Sequence, residues 1–431
     1  MVTTATVRVW GEEAGAIAWD DERGLGLFEF NPSFRATGWE LSPLQMPLTS
    51  SRRVYSFPDL RRRNKPDCFK GLPGLLADVL PDKYGNRLIQ EWLARNGRPA
   101  DSMNPVETLC FIGDRGMGAL EFEPSIMGST QRTFHVEVHS LVDAARSILE
   151  RREEFETHLK EDKGGAVKDL LRIGTSAGGA RPKAVIAWNK TTGEIRSGQT
   201  RIPKGFSHWL IKLDGVSDIQ LGKSHGYGRV EMAYHRMALD CGIEMMPCQL
   251  LEEGGRAHFM TQRFDRDGNQ KHHIQTWCGL NHLDYNEIRS YGYEQLFQTM
   301  RRLKLDYPAA EQMFRRMVFN VLARNCDDHT KNFSFRLKKD DSWELAPAYD
   351  LCHAWRPGSE WVSHHALSVN GKRSSIRRSD LMAVAESVHI RRSSAIIDQV
   401  HSVVQRWKTY ADEVRVDPEL RDHIQKTLIR L

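Results

Sequence analysis

The strongest apolar period in the chain runs from residue 310 to residue 322. Ala310, Met313, Phe314, Met317, Val318, Val321 and Leu322 recur at i, i+3 and i+4 spacing, with Asp306 and Pro308 where a helix begins. This predicts a buried helix leading into a short polar loop. Near the N-terminus the period is two. Val7 and Val9 alternate with polar neighbours, Gly11 punctuates a hairpin, and Leu25, Leu27, Phe28 and Phe30 resume the alternation with a one-residue shift. Ser42–Leu80 is rich in Pro and Gly, Lys83–Arg95 reads as a helix, and Gly113–Glu123 as a glycine turn feeding a strand. A polar helix around Ser140–Leu159 ends at Glu161–Gly165, a predicted boundary. Ala184–Trp188 and His208–Leu213 read as strands, Val230–Ala238 as a helix stopped by Gly242, and Phe259–Gly268 as a strand entering a turn. Late in the chain, Arg377–Asp380 precedes one helix and another covers roughly Ile396–Thr409.

The polar loop holds the most specific chemistry. Asp327-Asp-His-Thr-Lys-Asn332 has the form Asp-x-His-x-x-Asn, and an acid with an Asn five places later is the spacing that phosphoryl-transfer enzymes use for a base and a metal ligand. Asp350, in Leu-Ala-Pro-Ala-Tyr349-Asp350, supplies a second carboxylate for a cation. Asp327 is then the proton acceptor, Asn332 and Asp350 hold Mg²⁺, and His329 and Lys331 stabilise the group in transit. Thr330 and Tyr349 sit among them.

Upstream elements fit the delivery of ATP to this loop. Ile173–Lys183 contains Gly178, Gly179, Ala180, Arg181 and Pro182 ahead of a strand, and small residues let backbone N–H groups approach phosphates. It is no Walker A loop, and a glycine-rich hairpin turn is the alternative. Lys212 in an apolar strand needs an anionic partner, which Glu231 on the following helix supplies, as in kinases. The other reading is an edge lysine and a solvated glutamate. Gln262, Arg263, Phe264 and Asp265 occupy the place of a hinge that contacts adenine and ribose, or form a simple turn. The order of these signals over some 175 residues predicts an α+β, two-lobed, protein-kinase-like fold: 1–135 a β-rich N-terminal subdomain, 136–265 an N-lobe, 266–431 a largely helical C-lobe.

Bulk properties narrow the alternatives. The chain of 431 residues is 40% hydrophobic and carries a net charge of +5, which permits contact with nucleic acid without arguing for it. The paired arginines at 301–302, 315–316, 377–378 and 391–392 read as solvated helix faces, or as a DNA- or partner-facing stripe. No apolar run is long enough to cross a bilayer, and Glu12 and Glu13 interrupt any secretory core, so the expected location is cytoplasmic. The seven cysteines are scattered, which fits reduced, mostly buried thiols. The His272-His273 and His364-His365 pairs lack ligand spacing and read as surface or partly buried side chains.

The sequence resembles the HipA-type serine/threonine kinases, toxins of bacterial toxin–antitoxin pairs. The resemblance rests on Ser176-Ala-Gly-Gly-Ala-Arg-Pro-Lys183, Arg263-Phe-Asp-Arg266, Asp327–Ser334, Tyr349-Asp350 and His365-Ala-Leu-Ser-Val-Asn-Gly-Lys372. Phe69–Leu76 and Gly116–Leu120 are similar to the family's N-terminal subdomain. It implies ATP and Mg²⁺ as cofactors, and a protein substrate from translation such as an aminoacyl-tRNA synthetase. It also implies a helix-turn-helix antitoxin through which DNA is contacted, and autophosphorylation of Ser176. Gln262 departs from the glutamate frequent in the family, which shifts the expected hinge contact to backbone. A lipid or small-molecule kinase sharing the Asp-x-His-x-x-Asn loop is one alternative, though no convincing membrane-facing element is present. A catalytically silent antitoxin–DNA-binding partner is another.

Overall fold

A computed structural model describes residues 1–61, 67–128, 133–150, 166–174, 181–216 and 226–431. The predicted boundary Glu161–Gly165, the distal part of the Ser140–Leu159 helix, and Ser176, Gly178, Gly179 and Ala180 lie outside the described residues. The chain packs as two units. The first comprises 1–41, 46–228 and 249–274, and the second 42–45, 229–248 and 275–431. The segments drawn from sequence as N-terminal subdomain and N-lobe thus share most of one unit, while the stretch from Arg229 to Cys248 packs with the helical remainder.

The first unit contains two five-stranded sheets. In the N-terminal one, β1 (Thr4–Val9), β2 (Glu12–Asp20), β3 (Leu25–Phe30), β4 (Val54–Tyr55) and β5 (Leu120–Glu123) lie in the order β4-β3-β2-β1-β5. Trp10 (φ 51°) and Gly11 (φ 87°) make the tight β1–β2 turn, whose two positive φ angles suit the twist of a hairpin. Val7, Val9, Phe28 and Phe30 turn inward as the alternation requires.

The second sheet holds β6 (Lys183–Trp188), β7 (Ile195–Ser197), β8 (Ser207–Lys212), β9 (Cys248–Glu253) and β10 (Arg256–Gln262), in the order β7-β6-β8-β10-β9. β6 is buried along its whole length, which its continuous apolar run anticipates. Its Ala184, Ile186 and Trp188 share a core with Leu141, Val142 and Ala145 of the helix Val138–Glu150 and with Leu170 and Ile173 of the helix Ala166–Ile173.

The second unit is built around the helix Tyr307–Leu322. Asp306 caps it by accepting from the Ala309 N–H at 3.0 Å, with Pro308 in the first turn. The helix Tyr227–Asp240 is stitched to its end, where the Tyr234 hydroxyl donates to the Ala323 carbonyl at 2.5 Å. Four sequence readings change here. Strands Ser334–Leu337 and Trp343–Leu345 pair antiparallel inside the predicted helical lobe. The helix placed after Asp380 begins at Arg378, with the Asp380 carboxylate accepting the Arg377 N–H. The helix expected over Ile396–Thr409 is two helices, Ser393–Gln405 and Trp407–Glu413, joined at Arg406. The break lets Trp407 bury itself against Tyr234 and donate to the Arg421 carbonyl. Arg316, expected on a solvated face, is buried on the packed side of its helix, and burial pushes its guanidinium down to about 10.

Candidate active site

The loop after Leu322 is shaped by three local devices. Arg324 adopts a left-handed conformation (φ 55°), turning the chain out of the helix, and its Nε donates to the Thr427 carbonyl at 2.9 Å. The Asn325 amide donates to Asn320 Oδ1 at 2.9 Å. Cys326 N–H and Ala354 N–H then exchange bonds with Ala354 and Arg324 carbonyls, both at 3.0 Å, so the loop runs parallel to residues 352–356.

The next two residues face opposite ways. The Asp327 side chain is 48% exposed, and the His329 Nε2 lies 3.8 Å from its Oδ1. Asp328 is fully buried. It accepts from the Tyr293 hydroxyl at 2.8 Å, the His365 Nδ1 at 3.1 Å and the Ala366 N–H at 2.8 Å. His365 is therefore no surface histidine, correcting the sequence reading, and His272 and His273 are buried as well. Burial alone would lower the His365 pKa, but the Asp328 carboxylate outweighs it and raises the imidazole to about 10.

The remaining loop residues converge. Asn332 donates its amide to the Asp327 carbonyl at 2.6 Å, clamping the two ends of the motif. His329 caps the short 3-10 turn Thr330–Asn332, Thr330 anchors to the Leu283 carbonyl, and His329 and Lys331 flank Tyr285, with ring centroids at 5.2 Å and Nζ 5.3 Å from the ring centre. Tyr349 donates to the Lys331 carbonyl at 2.7 Å and shares a 2.5 Å bond with Ser334 Oγ. The residue after Tyr349, Asp350, adopts a left-handed conformation (φ 57°). Asp tolerates that conformation better than most residues. Tyr285, Tyr293, Asp328 and His365 escaped the sequence reading. The second Asp of the motif and the histidine opening His365–Lys372 were the available signals.

The other expected site residues lie mainly in the first unit. Lys183 is buried on β6 with Nζ 3.8 Å from Asp82 Oδ2, and it stands directly opposite Lys212 of β8. Asp82 also caps the helix Lys83–Arg95, through the Gly85 N–H. Lys212 Nζ lies 5.8 Å from the Phe259 ring centre, and Arg181 stacks on Tyr227 at 4.4 Å. Pro182 contributes its carbonyl to Leu213 N–H. Glu231 belongs to the second unit and is buried.

Gln262 closes β10 opposite Trp209, and Phe264 is half-buried. Asp265 departs from its expected role of reaching toward ribose. It is completely buried, its Oδ2 accepting from Arg263 and Arg266 at 2.6 Å each and from the Gly118 N–H at 2.8 Å. Arg263 and Arg266 also donate to the Gly116 carbonyl. A carboxylate so enclosed ties the end of β10 to the N-terminal subdomain and has no surface to offer a ligand.

Comparison with known proteins adds a second line of observation. A HipA-like C-terminal domain matches residues 175–407, more than half of the chain, and a HipA N-terminal domain matches 5–123. The chain belongs to the HipA family. Its fold matches that of HipA in a Shewanella oneidensis toxin–antitoxin HipA, HipB and operator DNA complex, with TM-score 0.67 and 18% identity over 98% of this chain and 95% of that one. Among curated relatives, a Haemophilus influenzae protein with a provisional kinase designation is 35% identical over 135 residues. The similarly designated Y4mE of Sinorhizobium fredii is 29% identical over 127 residues. These two alignments span 39% and 30% of the relatives' own lengths, and 28% and 27% of this chain. Among the described residues, no helix is long and apolar enough to cross a membrane.

Proposed function

We propose that this HipA-family chain is an ATP- and Mg²⁺-dependent serine/threonine protein kinase of the toxin type. The observation that carries the reading is the pair of bonds closing the loop, Asn332 amide to Asp327 carbonyl and Tyr349 hydroxyl to Lys331 carbonyl. Together they close the Asp327–Asn332 loop and tie Tyr349, the residue before Asp350, to it; an acid, an amide and a second acid are the set phosphoryl transfer draws on.

The donor chemistry fits Mg²⁺. Asn332 commits its nitrogen to the loop, leaving the oxygen for a hard cation, and Asp350 supplies a carboxylate. Among the described residues no cluster of three or more His, Cys, Asp or Glu side chains could hold a metal alone. That suits an ion held by one or two protein oxygens and completed by phosphates and water. Bound there, Mg²⁺ would offset phosphate charge. Asp327 would accept the proton of the attacking hydroxyl, and Lys331 and His329 would steady the transferring group. Arg181, Lys183 and Lys212 are the cations of the first unit assigned to ATP.

The substrate is proposed to be a protein of translation, with an aminoacyl-tRNA synthetase as the type. Ser176 is the proposed autophosphorylation site, where a phosphate would repel ATP. The Shewanella complex, which holds HipA, HipB and operator DNA, supports an antitoxin partner; that partner is proposed to be a helix-turn-helix protein through which DNA is reached. Incubation of a cell lysate with labelled ATP, comparing wild type with Asp327→Asn, tests the proposal. Mg²⁺-dependent protein labelling that vanishes in the variant is expected; labelled lipid, or no turnover by wild type, overturns it.

A further inference from the structure

Beneath the catalytic loop lies an ionisable network with no role in the chemistry above. Asp328 and His365 have side chains 0% and 2% exposed and stand 3.1 Å apart. Every polar neighbour reinforces them. Tyr293 donates to Asp328 and itself accepts from Asn320, whose Oδ1 receives the Asn325 amide, so the network reaches back into the helix preceding the loop. Cys326 Sγ lies 3.7 Å from the other His365 nitrogen. The Ala366 N–H donates to Asp328 Oδ1, and Arg373 donates to the Ala366 and Tyr291 carbonyls while its own carbonyl receives the His365 N–H.

The arrangement has an electrostatic as well as a mechanical consequence. Asp327 and Asp328 are adjacent carboxylates, and a bare buried anion one residue from the base would repel the approaching phosphates. A protonated His365 cancels that charge locally, and burial keeps water from screening it. The peptide between the two acids is short and the inner one is fixed at three points, so the outer one inherits its position.

We propose that Asp328 and His365 form a charge-neutral internal strut that sets the catalytic loop, making both positioning residues for phosphoryl transfer. The kinetic part rests on the kinase reading above; the structural part does not. Two measurements on the full chain separate them. Hydrogen exchange of segment 325–333 is expected to quicken in Asp328→Asn and His365→Asn, with the N-terminal sheet unchanged. Unaltered protection of that segment overturns the proposal, whatever the kinase assay gives.

In the assay, kcat of Asp328→Asn is expected to fall on the order of 100-fold, as loop misplacement of about 1 Å can produce, with KM for ATP within about twofold. The double variant Asp328→Asn/His365→Asn, lacking both charges, should turn over faster than His365→Asn, which strands an anion. A double variant no faster than His365→Asn overturns the charge-cancelling role. Tyr293→Phe removes a single bond to Asp328 and provides a folded intermediate case, expected between wild type and Asp328→Asn; wild-type exchange and kcat in this variant count against the strut. Wild type that exchanges as expected yet transfers no phosphate would sink the kinase reading alone.

Discussion

Replacing Asp265 by alanine gives the most demanding test of how the first unit is held together. The side chain is wholly buried and holds Arg263, Arg266 and the Gly118 N–H simultaneously. Burial would raise its pKa, but the two guanidiniums prevail and hold it well below the usual carboxylate range. Alanine leaves two buried cations facing each other with no anion between them. Removing one partner of a buried ion pair destabilises by about 3–5 kcal/mol. In a domain of about 150–250 residues each kcal/mol moves Tm by about 2–4 °C, so the expected fall is on the order of 10 °C. Scanning calorimetry should place the loss in the transition of the first unit, and Asp265→Asn should lose less, since it keeps an acceptor. The sign of the pH dependence follows from the depressed pKa. The contribution is present above the unfolded value of 3.8 and is lost only as pH falls through the folded one, so acidification from 7 to 4 leaves it in place. A shift of Tm below about 2 °C in the alanine variant would refute the clamp, because a solvated surface aspartate loses no more than that.

The remaining predictions concern the second unit and the loop. Asp327→Asn should abolish labelling of protein by ATP while Tm stays within about 2 °C of wild type, because the side chain is half-exposed and its loss opens no cavity. Asp350→Ala should eliminate the Mg²⁺ dependence of nucleotide binding, measured by calorimetric titration; equal affinity with and without the ion in wild type would count against its assignment. Tyr349→Phe removes the bond to the Lys331 carbonyl and should destabilise by about 1 kcal/mol while weakening Mg²⁺-dependent ATP binding. His365 has a raised folded pKa, so its stabilisation is complete below about 6.5 and declines as pH rises toward about 10. Across that window the Tm of wild type should fall relative to that of His365→Asn, and parallel curves would refute the ion pair. Ser176→Ala should remove phosphate incorporated into the enzyme itself, as read by mass spectrometry.

Periodicity sufficed where one element's local pattern determined its environment. The helix Lys83–Arg95 has the boundaries its sequence predicts, and the Asp306-capped helix starts where its cap and Pro308 place it. Features set by distant partners were not legible. The break at Arg406 depends on Trp407 meeting Tyr234, more than 170 residues earlier, which no local propensity encodes. Asp265 reads as a hinge residue reaching ribose or as part of a simple turn; its burial depends on Gly116 and Gly118, nearly 150 positions earlier, beyond the reach of any local pattern. His365 lacks metal-ligand spacing, and its actual partner is a carboxylate 37 positions away, which no local pattern encodes. Arg316 shows the same limit, since an arginine pair gives no indication of which member faces inward.

On the proposed reading, the back-to-back disposition of Asp327 and Asp328 divides one dipeptide between chemistry and architecture. Silencing the outward acid leaves the inward one and all its bonds untouched, so an inert form of the protein should keep its native surface. Such a form is well suited to capturing whatever normally departs after modification, since nothing in the scaffold needs to yield for the reaction to stop.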